Sequence, residues 1–516
     1  MELASRFLRP VLKPIAWLAD PARRERTALF VLAAYAVIWT LYGVVAKSSQ
    51  DLHVDSAELA AWSQHVVLGY AKHPPLAGWI AHGWFSVFPT RDWSYYLLAM
   101  VYAAIGLWIA WQLFARFLDA DKRIAALACL TLVPFFNFHG LRFDHNAVLP
   151  TLWVATAFCC IRSFETRSAA WAALAGIAAA AAVLGKYWSI FLLVGLGVAA
   201  LFDARRARYF RSAAPWITVF VGLLALAPHL VWLWEHDLIS LTYAFEAHGT
   251  KVTGNIALTV VRYFAGAVGY AAAPVLLVLA LTRPSGAALA DTLVPRTPER
   301  RFVAVAFWVT LPLPAVISLL LDYGLNPIWS MTDFVLLPVV LLSSPLLVMS
   351  RRALIAIVAV AIALPLVVLA LSPAIALAIH LRGVDPPSAH PKLLAGHIER
   401  EWRRTTDRPL RIVGGDFGLA NATAFYLSER PSVYPVLEPE TVPWVTPERI
   451  AREGAAMMCE LSDRDHDCVL LIRQAIDRVI VQNPPPRRVE VTITRSYFGI
   501  PGRPGRYLII VVPPRP

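Results

Sequence analysis

Asp55 and Glu58, two acids three positions apart, stand just beyond the first long apolar run of the chain. On the helix that the sequence predicts there, side chains at i and i+3 share a face, so the pair could exchange a proton with a polar substrate. The run Asp55-Ser56-Ala57-Glu58 is also a fair capping box, which would require only hydrogen bonds to backbone N–H groups. Further on, His73 precedes Pro74 and Pro75, whose stiff backbone would aim the imidazole rather than leave it loose. Asp144 opens another apolar run, in Phe138-His139-Gly140-Leu141-Arg142-Phe143-Asp144-His145-Asn146. A carboxylate half inside a membrane boundary is costly to desolvate and is a functional candidate for that reason, although an acid at a helix start also suits the helix dipole. Lys186, in Gly185-Lys186-Tyr187, lies between two short apolar runs. A lysine there needs an anionic partner such as a phosphate, unless it snorkels to water. Proton transfer and neutralisation of an anion are the chemistry these residue types offer.

The elements that would position them are membrane helices. Hydrophobic residues make up 58% of the 516 positions and charged residues 16%, and the mean hydropathy is +0.57. That is far too apolar for a soluble chain of this length. Apolar runs long enough to span are expected near 28–46, 93–115, 124–138, 146–163, 170–184, 188–202, 214–233, 258–281, 302–321, 333–349 and 353–373. The first is no cleavable signal peptide, because Ala28–Ala46 can span and Arg23, Arg24 and Arg26 hold its front end inside. The net charge of +12 does not indicate nucleic acid, since the basic residues sit mostly at helix ends. Seven basic clusters fall on one side if Ala170–Leu201 goes out and returns as a pair of short helices. An odd count of about 11 spans then leaves residues 1–27 cytoplasmic and the C-terminal tail outside. The other side collects the polar loops 47–92 and 138–145. No glycine-rich phosphate loop occurs in the membrane half, so an activated donor would have to arrive within the membrane.

Residues 385–516 read differently. Strands are expected at Leu410–Gly414, Ser432–Leu437, Cys468–Arg473, Val489–Tyr497 and Tyr507–Val512, and helices at Gly418–Ser428, Pro447–Glu460 and Gln474–Val481. Their alternation argues a small α/β domain. Gly414-Gly415-Asp416-Phe417-Gly418 could cradle a phosphate, although glycines at a strand–helix turn are usually structural. Among five cysteines, Cys129, Cys159 and Cys160 lie in apolar runs, whereas Cys459 and Cys468 flank the polar Glu460–Asp467. Placed outside the cell membrane, that last pair is expected to form a disulfide.

The loop Val54-Asp55-Ser56-Ala57-Glu58 to His73-Pro74-Pro75-Leu76, with Asp144, Lys186-Tyr187 and Asn326-Pro327-Ile328-Trp329, resembles the polyprenyl-phosphate-dependent membrane glycosyltransferases. This is the group of GT-C fold that contains the protein O-mannosyltransferases and the bacterial lipid A aminoarabinose transferase. The resemblance covers roughly residues 28–350 and is carried by short, dispersed motifs. It departs at His73, where the aminoarabinose branch has an acid–lysine pair before its proline, and so leaves the sugar open. It implies an all-α polytopic membrane protein of GT-C type, with residues 28–384 as the transmembrane domain and 385–516 as a periplasmic α/β domain. The implied activity is transfer of a sugar from a polyprenyl-phosphate donor to a lipid, glycan or protein acceptor at the periplasmic face of the bacterial inner membrane. Asp55 would be the general base, with Asp144 and Glu58 beside it; Lys186, Tyr187, His73, Arg142 and Arg262 would meet the donor and its phosphate. Tyr243, His248 and Lys251 form a weaker outer set. If Asp55, Asp144 and His73 converged, they could hold a divalent metal ion. The other reading is a transporter or flippase of a lipid-linked sugar, which would tend to place its polar residues at the membrane midplane rather than at one interface.

The charge pattern carries a test of orientation. An alkaline phosphatase fused after Pro516 should be active and one fused after Arg206 inactive. The reverse pattern would overturn the outward-facing loops.

Overall fold

The computed structural model describes residues 2–248, 255–461, 466–477 and 483–515. In chain order its first helices are α1 (Glu2–Ala19), α2 (Arg24–Ala46), α3 (Val54–Trp62), α4 (Leu76–Phe85), α5 (Asp92–Phe114), α6 (Ala120–Thr131) and α7 (Leu149–Thr166). Next are α8 (Ala169–Gly185), α9 (Ile190–Phe202), α10 (Arg206–Phe210), α11 (Ala214–Glu235), α12 (Ile239–His248), α13 (Ile256–Thr282) and α14 (Gly286–Leu293). The membrane half closes with α15 (Pro298–Thr310), α16 (Leu313–Leu321), α17 (Leu337–Leu342) and α18 (Arg351–Arg382). The chain divides into two compact units, residues 1–40 with 97–368 and residues 41–96 with 369–516.

The first unit is helical throughout its regular structure. Among the described residues of the whole chain, six stretches are long and apolar enough to cross a bilayer: α2, α5, α11, α13, α18 and Pro298–Leu321. α8 and the stretch Tyr187–Phe202 are apolar but shorter. Prolines explain where the expected spans break up. The run expected at 124–138 is helical only to Thr131, because Pro134 starts a separate 3-10 turn. The run at 302–321 is interrupted at Leu311–Pro312. The expected span 333–349 is not a continuous helix: a 3-10 segment, Pro327–Val335, gives way to the six-residue α17, and Pro345 follows Ser344. Within this unit α8 packs against α7 and α11, α9 against α15, and Pro327–Val335 against α13 and α7.

The second unit joins the loop after α2 to the tail. Its further elements are α19 (Pro386–Ala389), α20 (Pro391–Arg403), β1 (Ile412–Gly415), α21 (Phe417–Tyr426), β2 (Ser432–Pro435), α22 (Pro447–Glu453) and β3 (Ala455–Glu460). Then come α23 (His466–Asp477), β4 (Arg487–Ile493), β5 (Ser496–Tyr497), β6 (Ile500–Pro501) and β7 (Gly505–Val512). The main sheet runs β2-β1-β3-β7-β4, with β1 parallel to β2 and β3, and β7 antiparallel to β3 and β4. Strand residues alternate between two cores, as the period of two requires. Val413, Ala456, Met458, Ile509 and Val511 meet α20, α21 and Ala61 of α3. Ile412, Met457, Cys459, Ile510 and Val512 meet α22 and α23.

Two expectations for the tail are corrected. The helix expected over Pro447–Glu460 ends at Glu453, where Gly454 takes φ +72, and Ala455–Glu460 becomes the central strand β3. Flanked on both sides by backbone partners, that segment is bound by the sheet despite its Ala and Met content. Cys468–Arg473, expected as a strand, lies within the helix α23, because a short apolar run does not distinguish the two by periodicity alone. Cys459 of β3 and Cys468 of α23 are joined by a disulfide with Cα atoms 6.0 Å apart.

The glycine-rich turn after β1 has a backbone reason. Gly415 sits at φ +132, and a Cβ there would lie 1.8 Å from the Met458 carbonyl oxygen. Asp416 Oδ1 accepts from the Leu419 N–H at 2.9 Å and caps α21. Gly415→Ala should therefore lower stability by roughly 1–3 kcal/mol or more, read as a drop in unfolding midpoint of the detergent-solubilised protein. Loss of ligand binding with an unchanged midpoint would instead return the turn to a cradle.

Candidate functional site

Each unit carries a charged cluster that includes residues singled out from the sequence, and the two are described separately. In the second unit, the stretch leading into α3 is anchored by Asp51. This residue is buried, and its Oδ1 is 2.5 Å from Arg495 Nη2 while its Oδ2 accepts from the Lys392 N–H at 2.9 Å. Burial pushes the Asp51 carboxyl up to about 6, against the pull of Arg495. The Tyr426 hydroxyl accepts from the Leu52 N–H at 2.9 Å and donates to Asp92 Oδ1 at 2.6 Å.

From that anchor α3 begins. Its cap is His53, whose Nδ1 accepts from the Asp55 N–H at 3.3 Å. The capping-box reading of Asp55–Glu58 is thereby corrected: Asp55 lies inside the first turn and is not the cap. Its carboxylate is 49% exposed and lies 3.7 Å from His53 Nδ1. Glu58, one turn on, faces inward and is only 9% exposed. Its Oε1 is 3.7 Å from Lys72 Nζ, and Lys72 Nζ is 2.7 Å from Glu438 Oε2. Lys72 Nζ also lies 3.7 Å from the centroid of the Phe417 ring. Burial raises the Glu58 carboxyl to about 8, Lys72 opposes the rise, and Asp55 and Glu438 add to it. Two acids on one helix thus occupy different environments, one open to solvent and one buried against a lysine.

The loop that carries Lys72 is held by aromatic packing. Trp62 stacks on Tyr70 at 4.9 Å, and the Tyr70 hydroxyl bonds the Trp62 and His65 carbonyls. His73 closes the turn, its carbonyl accepting from the Tyr70 N–H at 3.1 Å, and its ring lies 6.2 Å from Trp62. His65 stacks on Trp444 at 4.4 Å, and burial lowers its imidazole to about 4.

In the first unit, Asp144 is buried, and its Oδ1 accepts from the N–H groups of Asn146 and Ala147 at 2.7 and 2.9 Å. It thus shapes the turn that leads into α7. His145 is buried beside it, lowered to about 3 first by burial and then by the charge of Lys186. Lys186 Nζ donates to Asn146 Oδ1 at 2.6 Å and lies 5.0 Å from the centroid of Trp329. The Tyr187 hydroxyl is 2.9 Å from His229 Nε2 and 2.6 Å from Ser240 Oγ. Burial lowers the His139 imidazole, Arg142 lowers it further, and Asp144 opposes the shift.

The structure therefore gathers Asp55 and Glu58 in one cluster, and Arg142, Asp144, Lys186 and Tyr187 in or near the other. Arg262 lies exposed on α13, and no hydrogen bond or ion pair to a described residue is seen for it. His248 ends α12, and Lys251 lies outside the described residues. No group of three or more His, Cys, Asp and Glu side chains suited to a metal ion occurs among the described residues, so none is assigned as a ligand. Sequence reasoning passed over Lys72, Glu438, Phe417 and Asn146. Lys72 stands directly before His73-Pro74-Pro75, one position from where the resemblance drew attention. Glu438 and Phe417 come from the distant tail and carry no local signal.

Spanning helices with charged loops and a small α/β domain define a polytopic membrane protein with an attached α/β domain. Known proteins agree with that class. Residues 72–232 match the model of the dolichyl-phosphate-mannose-protein mannosyltransferase family. The chain is 26% identical over 272 residues to the lipopolysaccharide core galacturonosyltransferase RgtA of Rhizobium johnstonii, covering 51% of this chain and 53% of that one. It is 22% identical over 236 residues to the lipid A galacturonosyltransferase RgtD of the same organism, covering 45% and 48%. The chain thus spans about half the length of the curated relatives it matches. ArnT from Cupriavidus metallidurans bound to undecaprenyl phosphate has the same fold at a TM-score of 0.63 and 12% identity, over 94% of this chain and 97% of that one. Its apo form gives 0.57 at 11% identity. The chain thus has the fold of these ArnT structures, and its residues 72–232 are similar to the dolichyl-phosphate-mannose-protein mannosyltransferase family.

Glu58 yields a pH test. Its folded-state value lies above the ordinary 4.5, so the folded protein holds a proton that the unfolded chain has lost. That stabilisation is complete below about pH 4.5 and is lost as pH rises through about 8. Between pH 5 and 8 the unfolding midpoint of wild type should fall relative to that of Glu58→Gln. Parallel midpoint curves, or a wild-type curve rising relative to the variant, would contradict the assignment.

Proposed function

We propose that this protein transfers a sugar from a polyprenyl-phosphate donor to a lipid acceptor of the bacterial envelope, at the outer face of the inner membrane. The observation that carries this reading is the placement of Asp55, a solvent-open carboxylate one helical turn from the buried Glu58–Lys72–Glu438 cluster, in a chain of this fold. The acceptor hydroxyl attacks the anomeric carbon as its proton passes to Asp55. The bond from that carbon to the phosphate oxygen breaks, and polyprenyl phosphate departs with the electron pair, inverting the centre. Phosphate leaves readily without a proton, so the main electrostatic demand is for cations near its oxygens. Lys186, held by Asn146 in the first unit, is the cation to which the sequence resemblance gives this role. The relatives named as galacturonosyltransferases make galacturonic acid the first sugar to test, and lipid A or lipopolysaccharide core the first acceptor.

In a purified transfer assay, Asp55→Asn keeps the side-chain size but cannot take the proton, and turnover should fall by about 10²–10⁴-fold. The unfolding midpoint should barely move, because Asp55 neither caps α3 nor packs in the core. Full activity of that variant would refute Asp55 as base. Movement of the lipid-linked sugar across vesicles without cleavage would favour the transporter reading instead.

A further inference from the structure

A pocket that the proposed transfer does not use lies within the second unit, where two spanning helices end. α2 stops at Ala46 and α18 at Arg382. Ser49 Oγ, just past α2, donates to the Ala376 carbonyl of α18 at 2.7 Å, and Ser48 Oγ lies 2.9 Å from the Tyr497 hydroxyl. His380 Nε2, in the last turn of α18, is 2.9 Å from the Ile500 carbonyl. The hairpin β5–β6 is therefore fixed against the C-terminal ends of these two spanning helices.

The hairpin is built against its own comfort. Phe498 and Gly499 turn at φ +47 and +77, and a bulky residue in the left-handed region is an outlier. Phe498 is 77% exposed at the tip, and Ile500 and Leu381 are exposed as well. An aromatic ring presented at a bilayer boundary, rather than to open water, gains from that exposure.

Behind the hairpin is a pocket of about 250 Å³ lined by Arg495, Arg503, His380, His390, Asp385 and Glu460, among others. Arg495 is already committed: it pairs with Asp51 at 2.5 Å and donates from Nε to the Ala389 carbonyl at 2.9 Å. His380 is held by Ile500 and His390 by the Tyr507 hydroxyl at 2.8 Å. The exposed Arg503 also lines the wall, as do the acids Asp385 and Glu460. A pocket with both signs at a membrane boundary is complementary to a ligand that carries both signs.

We propose that this pocket holds the headgroup of a membrane phospholipid bearing a phosphate and a primary ammonium, the phosphatidylethanolamine class, with Phe498 in the acyl boundary beside it. Arg503 meets the phosphate as a charge-assisted donor, and Asp385 and Glu460 accept from the ammonium. A choline headgroup has no N–H to give these acids, and a glycerol headgroup has no cation.

The inference does not depend on the transfer reaction, and its test uses no activity assay. Full-length protein in detergent is mixed with equal phosphatidylethanolamine, phosphatidylcholine and phosphatidylglycerol of matched chains, and bound lipid is counted by native mass spectrometry. Phosphatidylethanolamine should be retained several-fold over the other two, and Arg503→Ala, Asp385→Asn and Glu460→Gln should each erase the preference. Equal retention of the three lipids by wild type, an unchanged preference in all three variants, or displacement by millimolar inorganic phosphate would each overturn the site. In lipid nanodiscs, a fluorophore on Phe498→Cys, with the three free cysteines replaced by alanine, should be quenched by spin-labelled acyl chains. The same fluorophore on Glu490→Cys, a site exposed on β4, serves as the water-facing control. Quenching no greater at 498 than at 490 would remove the membrane contact.

Discussion

The buried carboxylate of Asp51 is the interaction on which the second unit depends. Its side chain is 2% exposed, and its partners, Arg495 and the Lys392 backbone, both come from the distant tail. A buried charge is tolerable only when it is paired and hydrogen-bonded, and removing one partner typically costs roughly 3–5 kcal/mol. The stretch after α2 is therefore obliged to fold onto the α/β domain. Tyr426 reinforces the join, holding the Leu52 backbone on one side and Asp92 on the other. The geometry of α3 and its two acids is inherited from that attachment.

Environment separates the roles of those two acids. Asp55 and Glu58 are of one chemical type and one helical turn apart, yet one is open to solvent and the other is buried beside Lys72. The exposed carboxylate lies 3.7 Å from His53 Nδ1. A buried one with a raised proton affinity shapes the field around a lysine. Glu438 and the Phe417 ring complete the surroundings of that lysine, so the α/β domain contributes side chains directly to the charged cluster. In the other unit, Lys186 is oriented by an amide and an aromatic ring, and Asp144 by backbone N–H groups. Asp144 therefore serves the turn before α7, whatever else it does.

Much was legible in the sequence because membrane insertion and strand alternation are local properties. A run such as Ala28–Ala46 is apolar wherever it is placed, and a bilayer leaves such a run little alternative to a helix. Hydropathy thus announced the polytopic helical class, dispersed loop motifs carried its GT-C resemblance, and β1, β2 and β7 were visible as short apolar runs between turn residues. Cys459 and Cys468 were paired from their position alone, flanking a polar stretch in the tail.

The tertiary structure alone decided whatever involves partners far apart in the chain. Ala455–Glu460 became the central strand because β1 and β7 bind both of its edges, which no local propensity of Ala-Ala-Met-Met encodes. The run at 333–349 failed as a continuous helix because prolines interrupt it, so a hydropathy average overstated it. Lys72 escaped notice because its meaning lies in Glu438 and Phe417, more than 300 residues away. Hydropathy and propensity sum along neighbouring residues and can be read from them. Charge pairing and burial are set by whichever segments the fold brings together, and only the packed chain specifies those.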